Sequence, residues 1–170
     1  MITITESGMI FGPFAEDDCL ELEKCPTYLR ISGGVKVAEF AVIRQQSGMP
    51  VVWIVEAKSS SPRPTNQIEF TDFIFEIKQK LLNSILMLFA GKLDRHNDWI
   101  DNLPAAFNEL TFSEGFKLVL VINGHQSDWL PPLQDALKVE LMPVVKTLGL
   151  QADSVAVIND QMARRFRLIV

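Results

Sequence analysis

The spacing of apolar positions along the chain changes several times, and each change marks an element. Glu16 to Lys24 is acidic, encloses Leu20 and Leu22 and is closed by Pro26, which predicts a short first helix. Tyr28 to Ser32 alternates in strand fashion and stops at the turn signal Gly33-Gly34. Val35 to Arg44 is β-branched and apolar, and Ser47-Gly48 with Pro50 ends it, so it reads as a second strand. Val51-Val52-Trp53-Ile54-Val55 is a continuous apolar run of strand length. Runs without alternation belong to strands covered on both faces, so this third strand takes a central place in a sheet flanked by helices.

After the breaker-rich Ser59 to Pro64 the period becomes helical. Ile74, Ile77, Leu81, Leu82, Ile85, Leu88 and Phe89 recur at three- and four-residue spacing, which predicts a long, largely buried helix from about Asn66 to Gly91. Lys92 to Ser113 is mixed, with a short helix near Pro104 to Leu110. Phe116 to Ile122 is a second buried-type strand ending at Asn123-Gly124. Pro131 to Leu148 reads as a helix that Pro143 bends, and Val155 to Ile158 and Phe166 to Val170 are terminal strand candidates. The first three strands, joined by short turns, are expected to form an antiparallel meander, and the strand after the long helix to run parallel to one of them. The fold class is α/β, with a mixed central sheet flanked by helices.

At 170 residues, one domain spanning residues 1–170 is expected. No run of about 18 apolar residues is present, so no membrane span is expected. Met1 to Phe14 lacks the basic start and long apolar stretch of a secretion signal. Cys19 and Cys25 cannot build a disulfide framework and have no partners at zinc spacing, so they read as small buried or semi-exposed fillers in a reduced, cytoplasmic protein. Sixteen basic against 21 acidic residues give a net charge of −5. Any nucleic-acid contact then needs a local basic patch, for which Arg164-Arg165-Phe166-Arg167 and Arg63 in the Ser59 to Thr65 loop are the candidates. His96 and His125 have no partner at ligand spacing and read as surface histidines.

Chemistry enters where the third strand stops being apolar. Glu56 and Lys58 flank Ala57, so on a strand of period two they share one face while Ala57 points the other way. Glu39 is the only acidic residue in the preceding apolar stretch Val37 to Val42. One turn and most of two strands separate Glu39 from Glu56, so a hairpin can bring their carboxylates to one area of the sheet. Two carboxylates in a partly buried site repel each other. A hard divalent cation resolves that conflict, and Mg²⁺ is typically held by one or two carboxylates, waters and substrate phosphate oxygens. With Lys58 beside it, such an ion suits hydrolysis of a phosphodiester.

Glu39 followed by Val-Val-Trp-Ile-Val-Glu56-Ala57-Lys58 resembles the core motif of the PD-(D/E)XK, or restriction-endonuclease-like, nucleases. The resemblance covers Glu16 to Ile122. It implies a core of one helix, three strands, a helix and a strand, and a Mg²⁺- or Mn²⁺-dependent nuclease acting on DNA. By that resemblance Glu39 is the first metal ligand, Glu56 the second, the Ala57 carbonyl a further one, and Lys58 the catalytic lysine. Some members add a Glu from the first helix, here Glu23 or Glu21 with Glu23 preferred, and some a polar residue on the following helix, here Gln67. The first acidic position of that family is more often Asp preceded by Pro, whereas here Glu39 follows Ala38.

Two other classes fit the same chain. One is a non-catalytic nuclease-like module that binds nucleic acid or a partner protein. The other is a small-molecule-binding α/β domain with a pocket at the Asn123-Gly124 strand end, although no glycine-rich phosphate loop accompanies it. A pair of such domains, a homodimer, would cleave both strands of a duplex.

Overall fold

A computed structural model describes residues 1–96, 103–111 and 115–170 of the chain. The chain opens with a two-stranded antiparallel hairpin, β1 (Ile2–Glu6) and β2 (Met9–Phe14). Its turn is Ser7-Gly8, both with positive φ (50° and 75°), the backbone twist that a two-residue hairpin loop requires. A 3-10 turn at Glu16–Asp18 leads into β3 (Cys19–Glu21), and α1 (Pro26–Ile31) follows. Next come β4 (Phe40–Gln46), β5 (Met49–Lys58), the long α2 (Gln67–Lys92) and the short α3 (Ala105–Glu109). The chain ends with β6 (Gly115–Ile122), α4 (Leu130–Thr147), β7 (Val155–Asn159) and α5 (Asp160–Arg165).

Five of the strands form one mixed sheet in the order β3-β4-β5-β6-β7. The pairs β3/β4 and β4/β5 are antiparallel, and β5/β6 and β6/β7 are parallel. The continuous apolar run thus lies in the middle strand, and its two faces bury separate clusters. Val52 and Ile54 point into the core shared with α2 and α4, among Ile77, Leu81, Leu118, Leu133 and Leu137. Trp53, Val55 and Ala57 point to the opposite face, where the β1–β2 hairpin, α5 and the segment after it cover them with Phe11, Phe14, Ala163 and Leu168. Phe11 meets Phe40 edge-on with ring centroids 5.2 Å apart. Glu56 continues the Val52–Ile54 alternation and emerges beneath α2.

Four expectations need correcting. Glu16 to Lys24 is not a helix: Cys19, Leu20 and Glu21 pair with Val42, Ala41 and Phe40. Alternation buries Cys19 on one face of the sheet and Leu20 on the other, which a short helix there would not do. Tyr28 to Ser32 is not a strand, because Pro26 opens α1 at its first position. Proline's fixed φ and missing N–H suit a helix start as well as a stop. One misread proline therefore accounts for both corrections. The strand expected over Val35 to Arg44 begins only at Phe40, and Phe166 to Val170 forms no strand, only a bridge from Ile169 to Phe11. In element order, β3 precedes α1 where a helix followed by three strands was expected. Of the mixed stretch Lys92 to Ser113, the helix near Pro104 to Leu110 is present as α3, while residues 97–102 and 112–114 lie outside the described residues.

No helix among the described residues is long and apolar enough to cross a membrane.

Candidate metal and catalytic site

Where β5 leaves the apolar core, Glu56 is completely buried beneath α2. A carboxylate there must be paired or protonated. Two lysines pair it. Lys80 Nζ, from α2, donates to Glu56 Oε1 and Oε2 at 3.0 and 3.2 Å, and Lys58 Nζ lies 3.0 Å from Oε1.

Glu39 sits one residue before β4. Its N–H donates to the Val55 carbonyl at 3.1 Å and its own carbonyl accepts from Leu22 N–H at 3.0 Å. These bonds hold the residue beside β5, and its carboxylate faces the same ammonium, with Oε1 3.5 Å from Lys80 Nζ. Glu23 also reaches it, at 3.6 Å. Glu23 stands in the turn between β3 and α1 rather than on a helix. Glu21 is turned away to Lys24, 2.5 Å from its ammonium. Of the two, Glu23 is the one that shares Lys80 with Glu39 and Glu56, and it does so from a turn rather than a helix.

Three carboxylates around one ammonium, with a second lysine on Glu56, leave negative charge unmet. Burial raises the Glu39 pKa to about 7, and the neighbouring Glu56 adds to the rise against the opposing pull of Lys80. Burial raises Glu56 as well, opposed by Lys80 and Lys58. Lys80 is held above its ordinary value, because Glu56, Glu39 and Glu23 outweigh the desolvation of its ammonium. Glu76, one helical turn before Lys80, lies 3.6 Å from Lys58 and 3.3 Å from Lys36. Burial pushes its carboxyl up, but these cations overcome it and hold it below its ordinary value.

Along β5, carbonyls alternate between neighbours. Val55 accepts from the β4 side and Lys58 from Asn123 on the β6 side, so Ala57 faces the β4 side beyond the end of that strand. There its oxygen accepts from Ser7 Oγ at 3.1 Å, which places the tip of the β1–β2 hairpin at the rim of the site.

Several candidates lie elsewhere. Gln67 is exposed at the first position of α2, about 20 Å along the helix from Lys80 at 1.5 Å per residue. The helix contributes Lys80 and Glu76 instead. Arg164 to Arg167 belong to α5 and its C-terminal end, on the hairpin side of the sheet and away from Glu56. His125 is half-buried and bonded to Ser61 rather than a free surface residue. Cys19 and Cys25 are buried free thiols, and burial pushes the Cys19 thiol up to about 12, which keeps it unreactive.

Lys80, Ser84 and Ser7 escaped the sequence reading. The signal for the first two was present: Glu76, Lys80 and Ser84 recur every fourth residue and run through the apolar face of α2. Ser84 Oγ donates to the Lys80 carbonyl at 2.7 Å and accepts from Ala38 N–H at 2.9 Å, so it fixes the residue next to Glu39.

Among the described residues, no group of three or more His, Cys, Asp or Glu side chains is arranged to hold a metal ion. Glu39, Glu56 and the Ala57 carbonyl are the groups that could be offered to a hard divalent cation. One carboxylate is fully buried, Glu56, and one partly buried, Glu39, and Mg²⁺ needs only one or two carboxylates from the protein. Lys80 supplies the positive charge between them. Comparison of the chain with protein-family models, with curated proteins and with solved structures finds no match.

Proposed function

We propose that this protein is a Mg²⁺- or Mn²⁺-dependent hydrolase of phosphodiester bonds in DNA, built on a restriction-endonuclease-like core. The observation that carries this reading is the convergence of Glu39 and Glu56 on one ammonium, with Lys58 3.0 Å from Glu56. The sheet supports it too, with three antiparallel strands followed by a strand parallel to the third.

In this reading Glu39, Glu56 and the Ala57 carbonyl hold the cation. When bound, that ion polarises the phosphodiester and makes a bound water more acidic. Lys58, partly exposed and anchored through Glu56 and Glu76, orients the attacking water and stabilises charge developing on the phosphoryl oxygens. Lys80 keeps the carboxylates together, and its flexible four-carbon stem lets the ammonium withdraw toward Glu23.

The test is incubation of purified protein with single-stranded and duplex DNA in Mg²⁺ or Mn²⁺. Cleavage is expected, with Lys58→Ala and Glu56→Gln slowing it about 100-fold or more. Cleavage at the wild-type rate in either variant rejects the site. Lys80 itself favours a second reading, a nuclease-like module that binds nucleic acid without turnover, since an internal ammonium already meets part of the charge that a metal would meet. Metal-dependent DNA binding with no hydrolysis would establish that reading instead.

A further inference from the structure

We propose that the cavity beyond the carboxyl ends of β5 and β6 takes one unpaired nucleotide, its base against Trp129 and its phosphate at Arg63. This inference rests on the reading of nucleic acid as the substrate class and specifies its form. The cavity has a volume of about 470 Å³, within the range of clefts that enclose small ligands. One wall is the Ser59–Thr65 loop, which leaves β5 directly after Lys58. The other is the segment from His125 through Trp129 to Leu133 that follows β6.

The walls are fixed before any ligand arrives. Ser61 Oγ and His125 Nε2 are 3.0 Å apart and tie the two loops together. The His125 carbonyl accepts from Asn159 Nδ2 at 2.8 Å, and Gly124 N–H donates to Asp160 Oδ1 at 3.0 Å.

The chemistry of the lining matches the parts of a nucleotide. Trp129 is 49% exposed despite its size and offers a stacking surface beside Leu133. The His125 ring packs against it edge-on, with centroids 5.3 Å apart. Burial holds the His125 pKa below its ordinary value, so Arg63 is the cation of the lining at neutral pH. Asp128 supplies an acceptor for a base amino group. An aromatic face, one cation for a phosphate and one acceptor for a base edge meet in a single recess.

Only an unpaired base can enter such a recess, because a base within a duplex is covered on both faces. The electrostatics also direct the strand. On the other side of Ser61 and Pro62 the surface groove carries Glu69, Asp72 and Glu76, which repel phosphates. A strand seated by Arg63 is therefore steered away from that groove and held on the Trp129 side of the loop.

The test is fluorescence anisotropy of the full chain with a labelled 20-nucleotide single strand, its blunt duplex and free dCMP as competitor, all in EDTA so that cleavage does not enter. The single strand is expected to bind at least tenfold tighter than the duplex. Trp129→Ala and Arg63→Ala are each expected to weaken single-strand binding about tenfold, and Trp129→Phe to restore most of the loss. Competition by dCMP that Trp129→Ala abolishes identifies the free nucleotide as sufficient; its absence, with single-strand binding still Trp129-dependent, identifies the strand as the source. Equal affinity of wild type and Trp129→Ala, or of single strand and duplex, overturns the proposal. Trp129-dependent binding without metal-dependent cleavage would reject only the hydrolytic reading. Cleavage with no Trp129 dependence of binding would reject only this one.

Discussion

Glu39 carries the charge that Lys58 and Lys80 leave unmet, and this makes its protonation a property of the fold. In the unfolded chain it ionises near 4.5, in the folded one near 7. Between those values the native state binds the additional proton, so folding stability falls as pH rises from about 4.5 to 7. Glu56, also raised, contributes in the same sense. Glu76, which is lowered, loses its contribution only at more acidic pH. Urea unfolding in EDTA is therefore expected to show lower stability at pH 7.5 than at pH 5, and Glu39→Gln to flatten the difference. An unchanged slope in that variant would show that Glu39 does not sit in the charge environment described. Glu56 and Lys58 were legible because a strand's period of two and an abrupt polar end leave few choices, and Glu39 because it is the only acidic residue in the apolar stretch Val37 to Val42. Lys80 was not, because a lysine on a helix that carries several charged residues normally reads as a snorkelling surface side chain.

At the scale of elements, the site depends on how α2 is keyed to the start of β4. Ser84 accepts the Ala38 N–H, a buried donor with no strand partner there, and donates to the Lys80 carbonyl. Ser84→Ala leaves that donor unpaired at a cost of about 1–3 kcal/mol, measurable by chemical denaturation. It is also expected to weaken the pH slope assigned to Glu39, whereas loss confined to stability would mark Ser84 as structural only. The same junction shows why some elements were readable and others were not. α2 carries a long helical period, and β5 and β6 continuous apolar runs, that tertiary context had no reason to override. β3 and α1 are three and six residues long, too short for a period to declare itself, so Pro26 decided the reading. Proline is compatible with both ends of a helix, and the pairing of Cys19 to Glu21 with β4 settles which end it occupies. The hairpin β1–β2 went unread because its strands bury residues only against a sheet face assembled from later segments, although its Ser7-Gly8 turn is visible in the sequence.

For the whole molecule, the question is whether the acidic site is an ion-binding centre or one already neutralised from within. With 21 acidic against 16 basic residues, the chain does not attract phosphate globally, so any polyanion must be admitted locally. A cation bound between Glu39 and Glu56 would both lower that barrier and couple to folding, since the unfolded chain has no such arrangement. Binding to the native state alone stabilises by about 2.7 kcal/mol at 100 times Kd. For a chain of this size each kcal/mol moves Tm by about 2–4 °C, so saturating Mn²⁺ is expected to raise Tm by about 5–10 °C. Glu56→Gln should abolish the shift. Lys80→Gln, which removes the competing ammonium and keeps most of the side chain's length, should enlarge it even though its own Tm starts lower. A shift equal in wild type and Glu56→Gln would put the ion elsewhere and remove the basis for hydrolysis. A shift seen only in Lys80→Gln would mean that Lys80 occupies the cation's place permanently, and the protein would then be a binding module whose internal ammonium does structurally what a metal does catalytically in a nuclease.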